Sequence, residues 1–401
     1  MAAGLSTNTL FALAMVLSVS FIVGELFERI GLESIIGYII SGLMLGPGIK
    51  NLAPHVPFLE TSMAISASSL AGFGTIGATL ILFQAGLREE NAADIFRHEK
   101  GLDLGVGILV GSFTFILGAL LMFPDVLGLE SIQAAVFVAL GYSMVDIGVP
   151  SKIMLSKGLM REKIGPYTIK SSVINVTAGF GILTTLVLIS SASIGDFAIK
   201  IAGIFGFALV FYILHEFIHR LDDYIIMFEE TEAQFAITFA LLLFMAYFTE
   251  SVGLSSVIGA FFAGVIISRS EFSESRSFQD KIQAIGMGLF IPLFFAWFGL
   301  GLQIFGSGGM LANMEAATFL FLLSTVSKLG IGYAITKYHG VKKSMTVAGS
   351  LLSLDIETLV VILIGIDLGI LGSEMLQIFA PSVLFSTITI VGIYFILERK
   401  A

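Results

Sequence analysis

The sequence predicts an all-α polytopic membrane protein with about thirteen transmembrane helices, and three observations lead there. Only 13% of the residues are charged, against about 25% in a soluble domain, while 56% are hydrophobic and the mean hydropathy is +0.97. Apolar stretches long enough to cross about 30 Å of hydrocarbon recur along the whole chain. Lys and Arg crowd into alternate gaps between those stretches, the asymmetry expected of a multi-pass protein.

The stretches lie near 10–28, 34–49, 63–86, 102–123, 131–155, 166–190, 197–217, 232–249, 253–268, 282–305, 316–336, 345–366 and 375–396. The first runs on within a few residues into the second and has no small-residue cleavage site after Phe27, so it reads as a retained span and not a signal peptide. The second, Ser34 to Ile49, is short and Gly-rich. No polar stretch is long enough to hold a soluble domain, so residues 1–401 read as a single membrane domain. The lack of cysteine excludes disulfides and thiolate sites. A net charge of −9 with no basic run disfavours nucleic acid as a partner.

With the N-terminus outside, all but three of the 21 Lys and Arg fall at or near the cytoplasmic side, Arg161, Lys163, Lys342, Lys343, Arg399 and Lys400 among them. The exceptions are Lys50, Lys200 and Lys328, the last within a span. The expected topology is therefore N-terminus out and C-terminus in, in the plasma membrane of a prokaryote. Spans four to six and eleven to thirteen are separated by an odd number of crossings, so a structural repeat relating them is inverted, as in many secondary transporters. Span five carries Ser143-Met144-Val145-Asp146-Ile147 and span twelve Ser353-Leu354-Asp355-Ile356-Glu357.

Asp146, Lys328, Asp355 and Glu357 fall roughly 13–23 Å into their spans at about 1.5 Å per residue, near mid-membrane. An isolated charge there costs about 2.5–3.5 kcal/mol, so four must be paired, neutralised or hydrated. One reading is a buried ion-pair network that fixes helix packing. The placement of the carboxylates favours an ion site instead. Gly141, Gly148 and Pro150 flank Asp146, and Pro150 removes a donor and frees carbonyls nearby. Non-helical backbone at this depth survives only where protein or a water-filled cavity satisfies it. A carboxylate beside liberated carbonyls suits a hard cation, which prefers oxygen ligands. Span twelve adds a polar island of Ser350, Ser353, Asp355, Glu357 and Thr358, without a proline. Span six offers Ser171, Ser172, Asn175 and Thr177; the serines lie a turn from Asn175 and serve equally as interhelical glue.

A competing motif, His215-Glu216-Phe217-Ile218-His219, matches the H-E-x-x-H pattern of an intramembrane zinc metalloprotease. It closes span seven at the cytoplasmic boundary, where titratable residues are ordinary, and Arg220-Leu221-Asp222-Asp223 follows at once. The acidic residues Glu229, Glu230 and Glu232 after it fit a short interfacial segment.

Four segments carry a family resemblance. Gly37-Tyr38 through Gly42 to Gly46-Pro47 resembles a G-Y-x-x-x-G-x-x-x-G-P second span, and Leu82-Phe83-Gln84-Ala85-Gly86-Leu87 an L-F-x-x-G-L ending of span three. Gly253-Leu254-Ser255 with Ile258-Gly259-Ala260-Phe261-Phe262-Ala263-Gly264 resembles a ninth span, and Ile291-Pro292-Leu293-Phe294-Phe295 with Gly299-Leu300 a tenth. In register from end to end, they resemble the membrane domain of the monovalent cation:proton antiporter superfamily, in its Kef-type and sodium/proton exchanger-like branch.

The resemblance implies an inverted-repeat antiporter fold with two interrupted crossing helices, spans five and twelve. It also implies a homodimer, a panel of spans 1–3 and 7–10, and an ion-carrying core of spans 4–6 and 11–13. Lys328 takes the place of a basic residue that pairs with an ion-binding Asp. One departure stands out: where span six of the family ends a two-residue motif in Asp, this chain reads Asn175-Val176. Asp146 is accordingly the expected carboxylate for which cation and proton compete. Asn175, Ser143 and Thr177 supply neutral oxygens, while Asp355 and Glu357 balance helix-break dipoles or hold a second proton. The expected activity is exchange of a monovalent cation, Na+ before K+, for H+, with no enzyme chemistry and no cofactor. The alternative is a fold relative with altered or lost proton coupling, a uniporter or symporter.

Overall fold

The computed structural model describes residues 7–30, 34–56, 64–87, 99–146, 164–190, 201–203, 205–207, 209–214, 216, 231–251, 256–305, 308–354 and 356–398. Every regular element among them is helical. In chain order the main helices are α1 (Thr7–Arg29), α2 (Ser34–Leu43), α3 (Ala71–Leu87), α4 (Glu99–Met122), α5 (Ile132–Ser143), α6 (Ile164–Ile189) and α7 (Thr231–Ser251). There follow α8 (Ser256–Ile267), α9 (Arg276–Ile285), α10 (Ile291–Gly301), α11 (Met314–Tyr338), α12 (Ser344–Ser350), α13 (Ile356–Asp367) and α14 (Glu374–Glu398). Eight helical stretches among the described residues are long and apolar enough to cross a membrane. Several are apolar on all sides: α1 exposes Leu10, Phe11, Ile22 and Leu26, the face a span turns to lipid. The chain is an integral, multi-pass membrane protein.

The chain divides into two compact units, Met1–Asn91 with Ser191–Ile304, and Ala92–Ser190 with Phe305–Ala401. In the first, α2 packs on α1 and α10, and α3 on α8 and α10. The glycines of the signature segments make these crossings. A Cβ on Gly42 would sit on the Ala296 carbonyl oxygen of α10, and one on Gly299 would sit on the Ile39 carbonyl oxygen of α2. The same exchange relates α3 and α8, with Gly86 against the Phe261 carbonyl and Gly264 against that of Phe83. Small residues let membrane helices approach this closely, where van der Waals packing is the main attraction. Two π-helical turns interrupt this unit, Met44–Gly48 around Pro47 and Gly286–Phe290 just before Pro292. In each, the proline's missing N–H accounts for a shifted hydrogen-bond ladder.

In the second unit α4 packs against α5, α6 and α11, while α11 also lies on α12 and α14. The Ser131 hydroxyl caps α5 by accepting from the Ala134 amide at 3.1 Å. At twelve residues α5 spans about 18 Å, too little to cross a bilayer. Span twelve divides into α12 and α13 with non-helical residues between them, including 353 and 354. This break arises without a proline.

Candidate ion-binding site

Helix α5 stops at Ser143; Met144 is extended (φ −69°, ψ 152°) and the chain stays non-helical through Asp146. Ending a helix in a membrane strands its last carbonyls, and each orphan left unsatisfied costs several kcal/mol. Neighbouring helices answer them one by one. The Thr358 hydroxyl of α13 donates to the Gly141 carbonyl at 2.9 Å, and the Ser324 hydroxyl of α11 to that of Tyr142 at 2.7 Å. Lys328 Nζ donates to the Met144 carbonyl. Ser143 turns its hydroxyl back onto Leu140 at 2.8 Å. The Val145 amide donates to Asn175 Oδ1 at 2.9 Å, and Asn175 Nδ2 donates to the Gly105 carbonyl of α4 at 3.2 Å.

The break between α12 and α13 is held in the same way. The Leu354 amide donates to the Ser386 hydroxyl at 3.3 Å, and Lys328 Nζ reaches the Ser353 carbonyl at 3.5 Å. One fully buried ammonium thus bonds to both non-helical segments, beside the C-terminal ends of α5 and α12, where helix dipoles favour a cation. Among the described residues, Glu357 and Asp146 are carboxylates within electrostatic reach of it. Glu357 occupies the first turn of α13, where the dipole favours an anion. Both carboxylates are 4% exposed. The Ser353 hydroxyl is buried here with no hydrogen-bond partner among the described residues, an oxygen available to a ligand.

The structure therefore gathers Asp146, Ser143, Asn175, Gly141, Lys328 and Glu357 about the α5 end and the α12–α13 break. Asn175 Oδ1 accepts from the Val145 amide and keeps its second lone pair, so the side chain braces this segment while its oxygen stays within the site. Thr177, two positions further along α6, falls on another face and is half-buried. Val176 is fully buried. Asp355, Gly148 and Pro150 lie outside the described residues, as do His215 and His219; Glu216 is exposed. Sequence reasoning missed Ser324, Ser386 and the role of Thr358, single hydroxyls in apolar helices whose partners are carbonyls far away in the chain.

A helical membrane protein in which two spans lose their helical form beside a buried lysine and buried carboxylates has the architecture of a secondary ion transporter. Residues 15–397 match the family model described as sodium/hydrogen exchanger, transmembrane, and the chain belongs to that family, within the monovalent cation:proton antiporters. It is 22% identical over 368 residues to the probable Na(+)/H(+) antiporter GerT of Bacillus cereus, covering 91% of this chain and 92% of that one. It is 24% identical to the probable Na(+)/H(+) antiporter 3 of Methanocaldococcus jannaschii, over 96% of both chains. It is 26% identical to the K(+)/H(+) antiporter 1 of Saccharomyces cerevisiae, over 95% of this chain and 45% of that one. The solved sodium proton antiporter MjNhaP1 from Methanocaldococcus jannaschii shares the fold, with a TM-score of 0.59 over 96% of this chain and 95% of that one at 14% identity.

Proposed function

We propose that this chain exchanges a monovalent cation, Na+ before K+, for protons at Asp146. The observation that carries the reading is the buried lysine bonded to both non-helical segments, with Asp146 and Glu357 beside it. Cation and proton compete for the Asp146 carboxylate, Ser143 lends a neutral oxygen, and Glu357 balances Lys328. Asn175 positions the segment that carries Asp146; Thr177 and Asp355 complete the expected polar set. In this reading thirteen spans form an inverted repeat in a homodimer, the residues of the second unit carry the ion, and the membrane is a prokaryotic plasma membrane. Cation-driven proton movement in proteoliposomes tests it: imposed Na+ or K+ gradients should move protons, and solute flux without proton flux would leave an uncoupled transporter. That second reading draws on Val176, a fully buried apolar residue next to Asn175, where the family resemblance implies an acid.

The proposed orientation has its own test. A cysteine at Gly308 should react with an impermeant thiol reagent from outside, and one at Lys342 only from inside. The reverse labelling would overturn the N-out topology and the inverted repeat built on it.

A further inference from the structure

Tyr167, His339 and Asp103 take no part in the arrangement around Lys328. Tyr167 stands in the first turn of α6, Asp103 near the start of α4, and His339 caps the C-terminus of α11. The Tyr167 hydroxyl lies 3.1 Å from His339 Nδ1, and His339 Nε2 lies 3.1 Å from Asp103 Oδ2. The imidazole is 6% exposed and the carboxylate 58%, so the cluster leads from water into the unit.

The protons in this cluster are constrained by their partners. An ionised Asp103 only accepts, which places the neutral imidazole's hydrogen on Nε2 and leaves Nδ1 to accept from the Tyr167 hydroxyl. One added proton goes to Nδ1. The imidazolium then donates from both nitrogens, to Asp103 and to the Tyr167 oxygen, whose own hydrogen turns elsewhere. Both hydrogen bonds persist in both states, and the new positive charge faces a carboxylate. Only a hydroxyl has to rotate.

Among the described residues, the remaining titratable neighbours are Lys170, one turn along α6, and Tyr338, whose ring centroid is 5.8 Å from the imidazole's. Exposed Lys337, Lys342 and Lys343 lie around the end of α11. From the cluster, Tyr167, Ser171 and Asn175 recur every fourth residue on one face of α6, a track of about 12 Å. Asn175 meets the Val145 amide at its far end. Gly105 of α4 packs directly on this face, where an added Cβ would stand 2.5 Å from the Ser171 carbonyl oxygen, and the Ser171 hydroxyl donates to the Tyr167 carbonyl at 2.8 Å.

We propose that Asp103, His339 and Tyr167 form a proton-loading site that supplies the exchange site through this face of α6, an inference that rests on the exchange reading above. Cation-driven proton movement in proteoliposomes, followed from about pH 5 to 8, tests it. His339→Gln should lower the wild-type rate about a hundredfold, the low end for a positioned proton-transfer group, and flatten its pH dependence. Added imidazole buffer should restore part of the rate, which it would not do for a merely structural histidine. Tyr167→Phe, which removes one hydroxyl and keeps the ring, should also slow exchange, and it decides the matter alone if His339→Gln does not fold. Folded variants with the wild-type rate and pH profile overturn the loading site and leave the exchange reading standing. A wild type that moves no protons in response to a cation gradient overturns both.

Discussion

Asp146→Asn is expected to reduce cation-driven proton flux to the level of protein-free vesicles while leaving the protein folded. Asp146 is 4% exposed on the non-helical segment after α5, whose backbone is held by Asn175 and Lys328. A carboxylate that carries either a cation or a proton must release one to take the other, so cation binding is linked to proton release. The amide keeps the shape and one oxygen but loses the charge and the titration. Folding should survive because a neutral amide is cheaper to bury than an ion, and Glu357 still faces Lys328. The readouts are proton release on adding Na+ in detergent and proton flux in vesicles. Val176→Asp, which puts an acid at the fully buried position after Asn175, is the complementary variant and should return some exchange to Asp146→Asn. Wild-type exchange by folded Asp146→Asn would transfer the carrier role to Glu357 or Asp355.

Lys328→Met is expected to destabilise the protein by about 3–5 kcal/mol, the usual cost of removing one partner from a buried charged set. Methionine fills much of the same volume, so the loss is electrostatic. The Met144 and Ser353 carbonyls lose their shared donor, and Glu357 and Asp146 lose the cation they face. Thermal unfolding of the purified protein across a range of pH measures the loss. Equal melting temperatures for variant and wild type at every pH would remove Lys328 from the network.

The family was legible because its signatures are packing devices with a local cause. Gly42 and Gly299, Gly86 and Gly264 stand where one helix backbone rests on another, and no other residue fits there. These glycines all lie in the first unit, so they identify the scaffold and say little about the ion. The charges at depth were legible for an equally local reason: a carboxylate or ammonium in the middle of an apolar stretch is costly wherever the chain goes.

The sequence by itself determined the helical, multi-pass class and the identity of the buried charges, because composition and the cost of burial are properties of a segment. Only the tertiary structure decided how the helix ends are satisfied. Span twelve breaks without a proline because Ser386 of α14 and Lys328 of α11 hold the backbone groups the break exposes. Asn175 braces Val145 and Gly105 because α6 packs against α4 and α5 at that height. A hydroxyl or amide in a span has no assigned partner until other helices bring one. In a membrane core, where water cannot stand in, those distant partners decide where a helix stops.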